Sequence, residues 1–418
     1  MQLFNSDACV KCRGRGWCGK PCRIHSQLKE FQPKIKTHFS GSSPPEIFIG
    51  RIGYPEINTG ILAPSNLDLS ERKSTEEMSL PEEWYKQKLT IREVLNHRGR
   101  LIYSRFKSKI KYNPSKNNKL LSTMQEISLA DKSVSAEFFL KKPFKSLINI
   151  DKHLPVIGNP APLKDVRLQE NPVIIRKVDY LVSDTDNKAA NAIIELHKNK
   201  ITLTSNIIKI LSAGMLGIGK NRRLVPTRWA ITAVDNTISK NLLKKIKYYP
   251  EINEILLFNG SYVGNHYEFL LLPDKFSFEV IEAFLPRSAW NPGETTNFTQ
   301  DFERFSGRKY YAENVTGAYY TARLAVCEYL EKIKKQAYII IFREEGPEYN
   351  APLGVGILRE LGRDAFSKVP EKFNTIQEAL NKAQSRFRIP IREFTSRSVL
   401  LKEYKQQTRL NKFFTPKV

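Results

Sequence analysis

The sequence predicts an α+β fold (mixed α/β) in two globular domains, preceded by an N-terminal four-cysteine knuckle and followed by a flexible C-terminal tail. Three observations point there. The chain has 418 residues, more than one hydrophobic core usually serves, and 41% of them are hydrophobic, ample for packed cores. Short apolar runs of strand length and longer stretches of helical spacing both recur along it. Its two ends differ from the rest: Cys9, Cys12, Cys18 and Cys22 crowd the beginning, and the end is polar and basic. Pro286, Asn291, Pro292 and Gly293 mark a boundary. The expected divisions are a knuckle over 1–25, an N-terminal α/β domain over 26–290, a C-terminal α/β domain over 291–403 and a tail over 404–418.

Taken in order, residues 40–45 read as a linker by composition, 46–50 as a short strand and 64–82 as a loop. Thr90 and Glu93 have the spacing of a capping box and open a helix expected over 90–111. Its basic face continues through Lys107, Lys109, Lys111, Lys116 and Lys119, which suits a phosphate-binding stripe or a solvated surface. Strands are expected at 136–140 and 173–182, and helices at 187–198, 205–213 and 231–248. The last of these carries Lys240, Lys244, Lys245 and Lys247 late, where cations complement the helix dipole. Residues 255–272 read as a hairpin, with Asn259-Gly260 as the turn signal and a second break at Gly264-Asn265.

Beyond the boundary, Phe302, Arg304, Phe305, Arg308, Lys309, Tyr310 and Tyr311 mix rings with cations. That composition fits a single-strand binding surface and a small core equally well. Helices are expected at 316–335 and 375–387, a buried strand at 337–342, a strand or short helix at 355–361 and a closing strand at 391–394. From residue 402 the chain reads as a leash.

The charge is unusual. Against 43 Asp and Glu stand 67 Lys and Arg, a net of +24, and the isoelectric point is near 9.7. Such a surplus draws polyanions, nucleic acid before anionic membrane. No apolar run approaches the ~18 residues of a membrane span, and the first residues lack the pattern of a signal peptide. A cytoplasmic, nucleoid-associated protein without membrane partners is expected.

The four cysteines follow C-x2-C-x5-C-x3-C, a spacing that lets tight turns bring four thiolates onto one soft cation. In a reducing compartment metal is favoured over disulfides, which makes one structural zinc per chain the expected cofactor, with an iron–sulfur cluster or no metal as alternatives. His25 is close enough to replace a ligand. Cys327, in an apolar helical pattern, reads as a core residue.

Several polar groups in the middle of the chain could carry chemistry. Asp184 and Asp186 flank a turn and could hold a divalent cation, or serve as a turn residue and a helix cap. Asp235, His266 and Glu268, with Glu279 and Glu282 nearby, are the other ionisable groups a metal enzyme could use, though their spacing is not diagnostic. Gly214 to Lys220 has the G-x4-G-K spacing of a phosphate loop, but Asn221 replaces the magnesium-binding hydroxyl and a helix, not a strand, precedes it. The same region crowds Lys220, Arg222, Arg223 and Arg228 next to Trp229. Arginine forks fit phosphate and an exposed indole stacks on bases, so this is the expected nucleic-acid contact, with an internal salt-bridge network as the other reading.

Near the end lies Gln407-Thr408-Arg409-Leu410-Asn411-Lys412-Phe413-Phe414. One helical turn puts Leu410, Phe413 and Phe414 on one face as an apolar plug, with Gln407 at its rim. The pattern resembles the motif by which proteins bind the replication sliding clamp, PCNA. Together, the cysteine knuckle, the segment from Lys220 to Trp229 and this terminal box resemble the archaeal DNA repair protein NreA family over essentially the whole chain. The resemblance implies a role in DNA damage repair, zinc on Cys9, Cys12, Cys18 and Cys22, and clamp contact through Gln407, Leu410, Phe413 and Phe414. DNA, PCNA and other repair proteins are the partners expected. The family brings no settled catalytic chemistry. Two functions stay open: a non-catalytic DNA-binding repair factor, or a metal-dependent nuclease or other phosphodiester enzyme drawing on Asp184, Asp186, Asp235, His266 or Glu268.

Overall fold

The structure is a computed structural model and describes residues 37–64, 75, 77–112, 118–143, 156–288, 290–291 and 293–406. The cysteines, His25 and the terminal box lie outside the described residues. The described chain forms two six-stranded mixed sheets and twelve helices, an α+β architecture as expected.

The first sheet runs β1 (His38–Ser43), β5 (Val134–Leu140), β6 (Asn159–Leu168), β4 (Leu101–Lys109), β3 (Glu56–Pro64) and β2 (Ile47–Ile49), with only β4 and β6 parallel. The residues read as a linker are in part β1. Their small side chains suit close packing, for a Cβ at Gly41 would lie 2.0 Å from the Pro64 carbonyl oxygen. Helix α3 (Lys119–Leu129) puts Leu121, Met124 and Ile127 into one core with Phe39, Ile61, Ile102, Phe138 and Leu163 of this sheet.

The helix expected over 90–111 is two elements. The Thr90–Glu93 capping box is present, but α2 (Ile91–Arg100) ends before Leu101, where β4 begins. Consecutive Leu101, Ile102 and Tyr103 are all buried because β4 is an inner strand covered on both faces, a setting that overrides helical continuation. A second correction concerns 173–182, where α4 (Arg176–Ser183) replaces the expected strand. Its Val178, Leu181 and Val182 fall at helical spacing and are buried.

Four helices then build an all-helical layer: α4, α5 (Ala189–Lys198), α6 (Thr204–Ser212) and α7 (Thr227–Ile246). They pack through Leu181, Ile193, Leu196, Ile207, Leu211, Ala230, Val234 and Ile238.

The second sheet runs β10 (Asn297–Glu303), β9 (Ser277–Phe284), β11 (Tyr338–Glu345), β8 (Asn265–Leu272), β7 (Ile255–Tyr262) and β12 (Glu371–Phe373). Residue 290 thus falls between two strands paired in one sheet. β11 is buried at every position, as its apolar run requires. The β7–β8 turn is Val263-Gly264, both at positive φ, rather than Asn259-Gly260. Gly260 lies inside β7, where a Cβ would come within 2.9 Å of Leu361 Cδ1. The glycine there serves sheet–helix contact, not a turn.

One face of this sheet carries α7, α8 (Gly317–Ile333), α9 (Gly356–Ser367) and α1 (Pro81–Lys86), through Leu243, Tyr319, Val326, Leu330, Leu361 and Trp84 among others. Cys327 is in that core, and burial pushes its thiol well up. The other face carries α10 (Ile376–Gln384), α11 (Ile391–Thr395) and α12 (Val399–Gln406). The closing strand expected at 391–394 is α11, whose Phe394 packs against Phe342 and Phe387. The leash expected from residue 402 is helical through Gln406: Leu400 and Leu401 are buried, and the Tyr404 hydroxyl donates to the Pro273 carbonyl at 3.2 Å.

Glu345, at the end of β11, is fully buried, and burial, with Glu282 nearby, pushes it up to about 8 against the opposing pull of Arg343. The unfolded chain releases this proton near 4.5. Between those values the folded state holds more protons, so stability falls as pH rises from about 4.5 to about 8. Glu345→Gln is expected to remove that decline, which for one proton is at most about 1.4 kcal/mol per pH unit. Urea unfolding of both proteins at pH 5, 6.5 and 8 checks it; parallel curves would refute it.

Candidate nucleic-acid interface

The basic segment follows α6. Gly214 takes positive φ just after that helix, and Gly217 does so three residues on. Gly219–Asn221 is a single 3₁₀ turn, so the phosphate-loop spacing is the spacing of a bend after a helix. Arg222 is half-buried within this bend, where its Nε donates to the Gly217 carbonyl at 2.8 Å and its Nη2 to the Asp184 carbonyl at 3.0 Å. Asp184 Oδ1 in turn accepts from the amides of Asp186 (3.1 Å) and Asn187 (3.2 Å). Asp184 is therefore the turn residue. Asp186 is not a cap, because α5 starts after Lys188 without a side-chain cap.

Lys220, Arg223 and Trp229 are exposed, and Arg228 is half-buried at the start of α7. The fold brings a second basic stretch to them. The Leu224 amide donates to the Ile110 carbonyl at 3.0 Å, which sets exposed Lys109 and Lys111 alongside Arg223. The Thr227 hydroxyl accepts from the Ile49 amide at 3.0 Å, which fixes the β2–β3 loop against the start of α7. That loop exposes Arg51, Ile52 and Tyr54, and the Tyr54 ring lies 6.1 Å from that of Trp229. Exposed Lys109 and Lys111 are thus brought to Arg223, and exposed Arg51 and Tyr54 to Trp229, from separate stretches of the chain. Cations spaced for phosphates and rings free for stacking are what a single strand requires. Tyr54 and Arg51 were not legible as site residues, because their link to Trp229 runs through a contact 178 residues apart in sequence.

The remaining ionisable candidates are held by partners. Asp235 is completely buried in α7 and accepts both Nε and Nη2 of Arg359 at 2.9 Å. Glu268 is completely buried too, accepting from Arg386 at 2.6 and 2.9 Å and bonded to His266 Nε2 at 2.8 Å. His266 Nδ1 is 2.6 Å from the Ser261 hydroxyl, so serine, histidine and glutamate form a chain at the end of the β7–β8 hairpin. Glu279 accepts from the amides of Val399 and Leu400 and so anchors the start of α12. Among the described residues, no three of His, Cys, Asp and Glu form a group that could hold a metal. The rings and cations of 302–311 divide: Arg304 pairs with Glu403, Arg308 bonds Asp301 at 2.9 Å, and Tyr311 stacks on Tyr320, whereas Lys309 and Tyr310 are exposed.

The chain is thus a two-sheet α+β protein that carries exposed cations and rings on its surface. Its sequence matches two family models, archaeal Nre N-terminal over residues 17–291 and archaeal Nre C-terminal over 303–413, so the chain belongs to the archaeal Nre family. It is 34% identical over 401 residues to the DNA repair protein NreB of Archaeoglobus fulgidus, covering 96% of this chain and 98% of that one. It is 35% identical to the DNA repair protein NreA of the same organism, covering 90% and 93%, and 33% identical to that of Haloferax volcanii, covering 82% and 83%. No solved structure matches it. No helix among the described residues is long and apolar enough to cross a membrane.

Proposed function

We propose that this chain is a DNA repair protein that binds DNA across the face formed by Lys107, Lys109, Lys111, Lys220, Arg223, Tyr54 and Trp229, and that PCNA recruits it through Gln407, Leu410, Phe413 and Phe414. The observation that carries the repair role is full-length similarity to proteins named for DNA repair. The meeting of exposed cations and rings from separate stretches of the chain supports DNA as the ligand. Zinc on Cys9, Cys12, Cys18 and Cys22 belongs to the same reading. Metal analysis of purified protein is expected to give about one zinc per chain; iron in place of zinc would overturn that assignment.

Binding to a fluorescent single strand is expected to weaken steeply between 50 and 200 mM salt. Lys220→Glu with Arg223→Glu should weaken it at least tenfold and flatten the salt slope, with the unfolding midpoint unchanged. Equal affinity in that double variant would remove the segment from the interface. Arg222→Ala is different, because its guanidinium holds two backbone carbonyls: it is expected to cost about 1–3 kcal/mol of stability, and the same titration of unfolding reads it.

A further inference from the structure

Beside the interface lies a cavity of about 500 Å³ between the second sheet and the helices packed on it. Its volume is within the roughly 300–1,000 Å³ of ligand sites. The sheet wall is polar. Glu282 and Arg343, with side chains 4% and 5% exposed, form an ion pair there, and the Thr299 hydroxyl donates to the second oxygen of Glu282 at 3.3 Å. Trp290 and Asn297 complete that side. Charged groups so fully withdrawn from water ordinarily lie within a core, yet these line an open cavity, where they present fixed donors and acceptors.

The opposite wall is the start of three helices. Arg228 is at the start of α7, Thr316 and Ala318 at that of α8, and Val355 and Leu358 at that of α9. None of the three has a side-chain cap hydrogen bond, and their positive ends lie at this wall together with Glu313 and Asn314. Thr316 adopts φ 58° and ψ −127°, costly for a β-branched residue. Such strain persists where surrounding structure enforces it, as at ligand sites.

We propose that this cavity is a nucleotide pocket, with a base held against Trp290 and the Glu282–Asn297–Thr299 wall and its phosphate at Arg228 and the helix starts. The chemistry of the two walls divides as a nucleotide does, hydrogen-bonding groups and an indole on one side and positive ends on the other. Arg228 borders the pocket and Trp229 is on the exposed face next to it, so a nucleotide extruded from a bound strand and a free mononucleotide share this chemistry. The extruded source rests on the DNA-binding reading above; the pocket itself does not.

The full-length protein is titrated with a duplex carrying one 2-aminopurine in a mispair, with anisotropy reporting binding and 2-aminopurine emission reporting unstacking. A parallel equilibrium dialysis uses dAMP alone. At least one signal is expected: an emission change at saturation assigns the pocket to an extruded nucleotide, and one dAMP bound per chain assigns it to a free one. Val355→Trp, which fills the cavity, should weaken that signal at least tenfold, and Thr299→Val, which keeps the cavity's volume, serves if the first variant does not fold. Anisotropy without either signal, or a signal that neither variant alters, overturns the pocket and leaves DNA binding standing. A dAMP signal without duplex binding supports the pocket and overturns the extruded nucleotide as its source.

Discussion

Asp235→Ala is expected to destabilise the protein by about 3–5 kcal/mol, because it strands a buried charge. Arg359 is 1% exposed, and Asp235 receives two of its hydrogen bonds in a forked geometry. The pair ties α7 to α9, and Arg323, bonded to Ser239 of α7 at 3.2 Å, ties α7 to Glu303 of β10 at 2.9 Å. Removing the carboxylate leaves a buried guanidinium without its forked partner. Removing both charges, as Asp235→Leu with Arg359→Met, should recover most of the loss, since well-packed apolar replacements of buried ion pairs are often neutral. Urea unfolding of the single and double variants reads both statements. If Asp235→Ala kept its stability and lost a DNA-processing activity, the residue would return to the catalytic candidates.

That carboxylate illustrates what could and could not be read from the chain. Local signals were legible where the physics is local. The capping box at Thr90–Glu93 is formed, and the apolar run at 337–342 is buried, most of it in β11. Errors came where neighbours far in sequence decide. Residues 101–109 continue the basic pattern of α2, but pairing with β3 and β6 makes them a strand. The β-branched stretch at 173–182 has strand composition and forms a helix because its apolar spacing meets the helical layer. Asp235 reads as a group a metal enzyme could use, whereas its partner lies 124 residues away. Glu268 has the same history with Arg386, 118 residues away. The pocket was hidden for the same reason, since Arg228, Glu282, Thr316 and Val355 share no stretch of sequence.

Phe413→Ala with Phe414→Ala is expected to weaken PCNA binding by about 10²–10³-fold, on the order of 3–4 kcal/mol, since buried aromatic anchors typically contribute about 2 kcal/mol or more each. The chain preceding the motif is firmly held. α12 buries Leu400 and Leu401, its Leu400 carbonyl accepts from the Tyr338 hydroxyl at 2.8 Å, and it is described through Gln406, the residue before Gln407. In sequence the motif follows directly on this anchored stretch. The double variant should accordingly unfold at the wild-type urea midpoint and bind a single strand with wild-type affinity, while titration against purified PCNA loses its heat. Leu410→Ala alone should weaken clamp binding by about tenfold or more, because one helical turn would set it on the same face as the two rings. A double variant with undiminished affinity for PCNA would separate this chain from the clamp, and the repair role would then rest on the basic face and its neighbouring pocket.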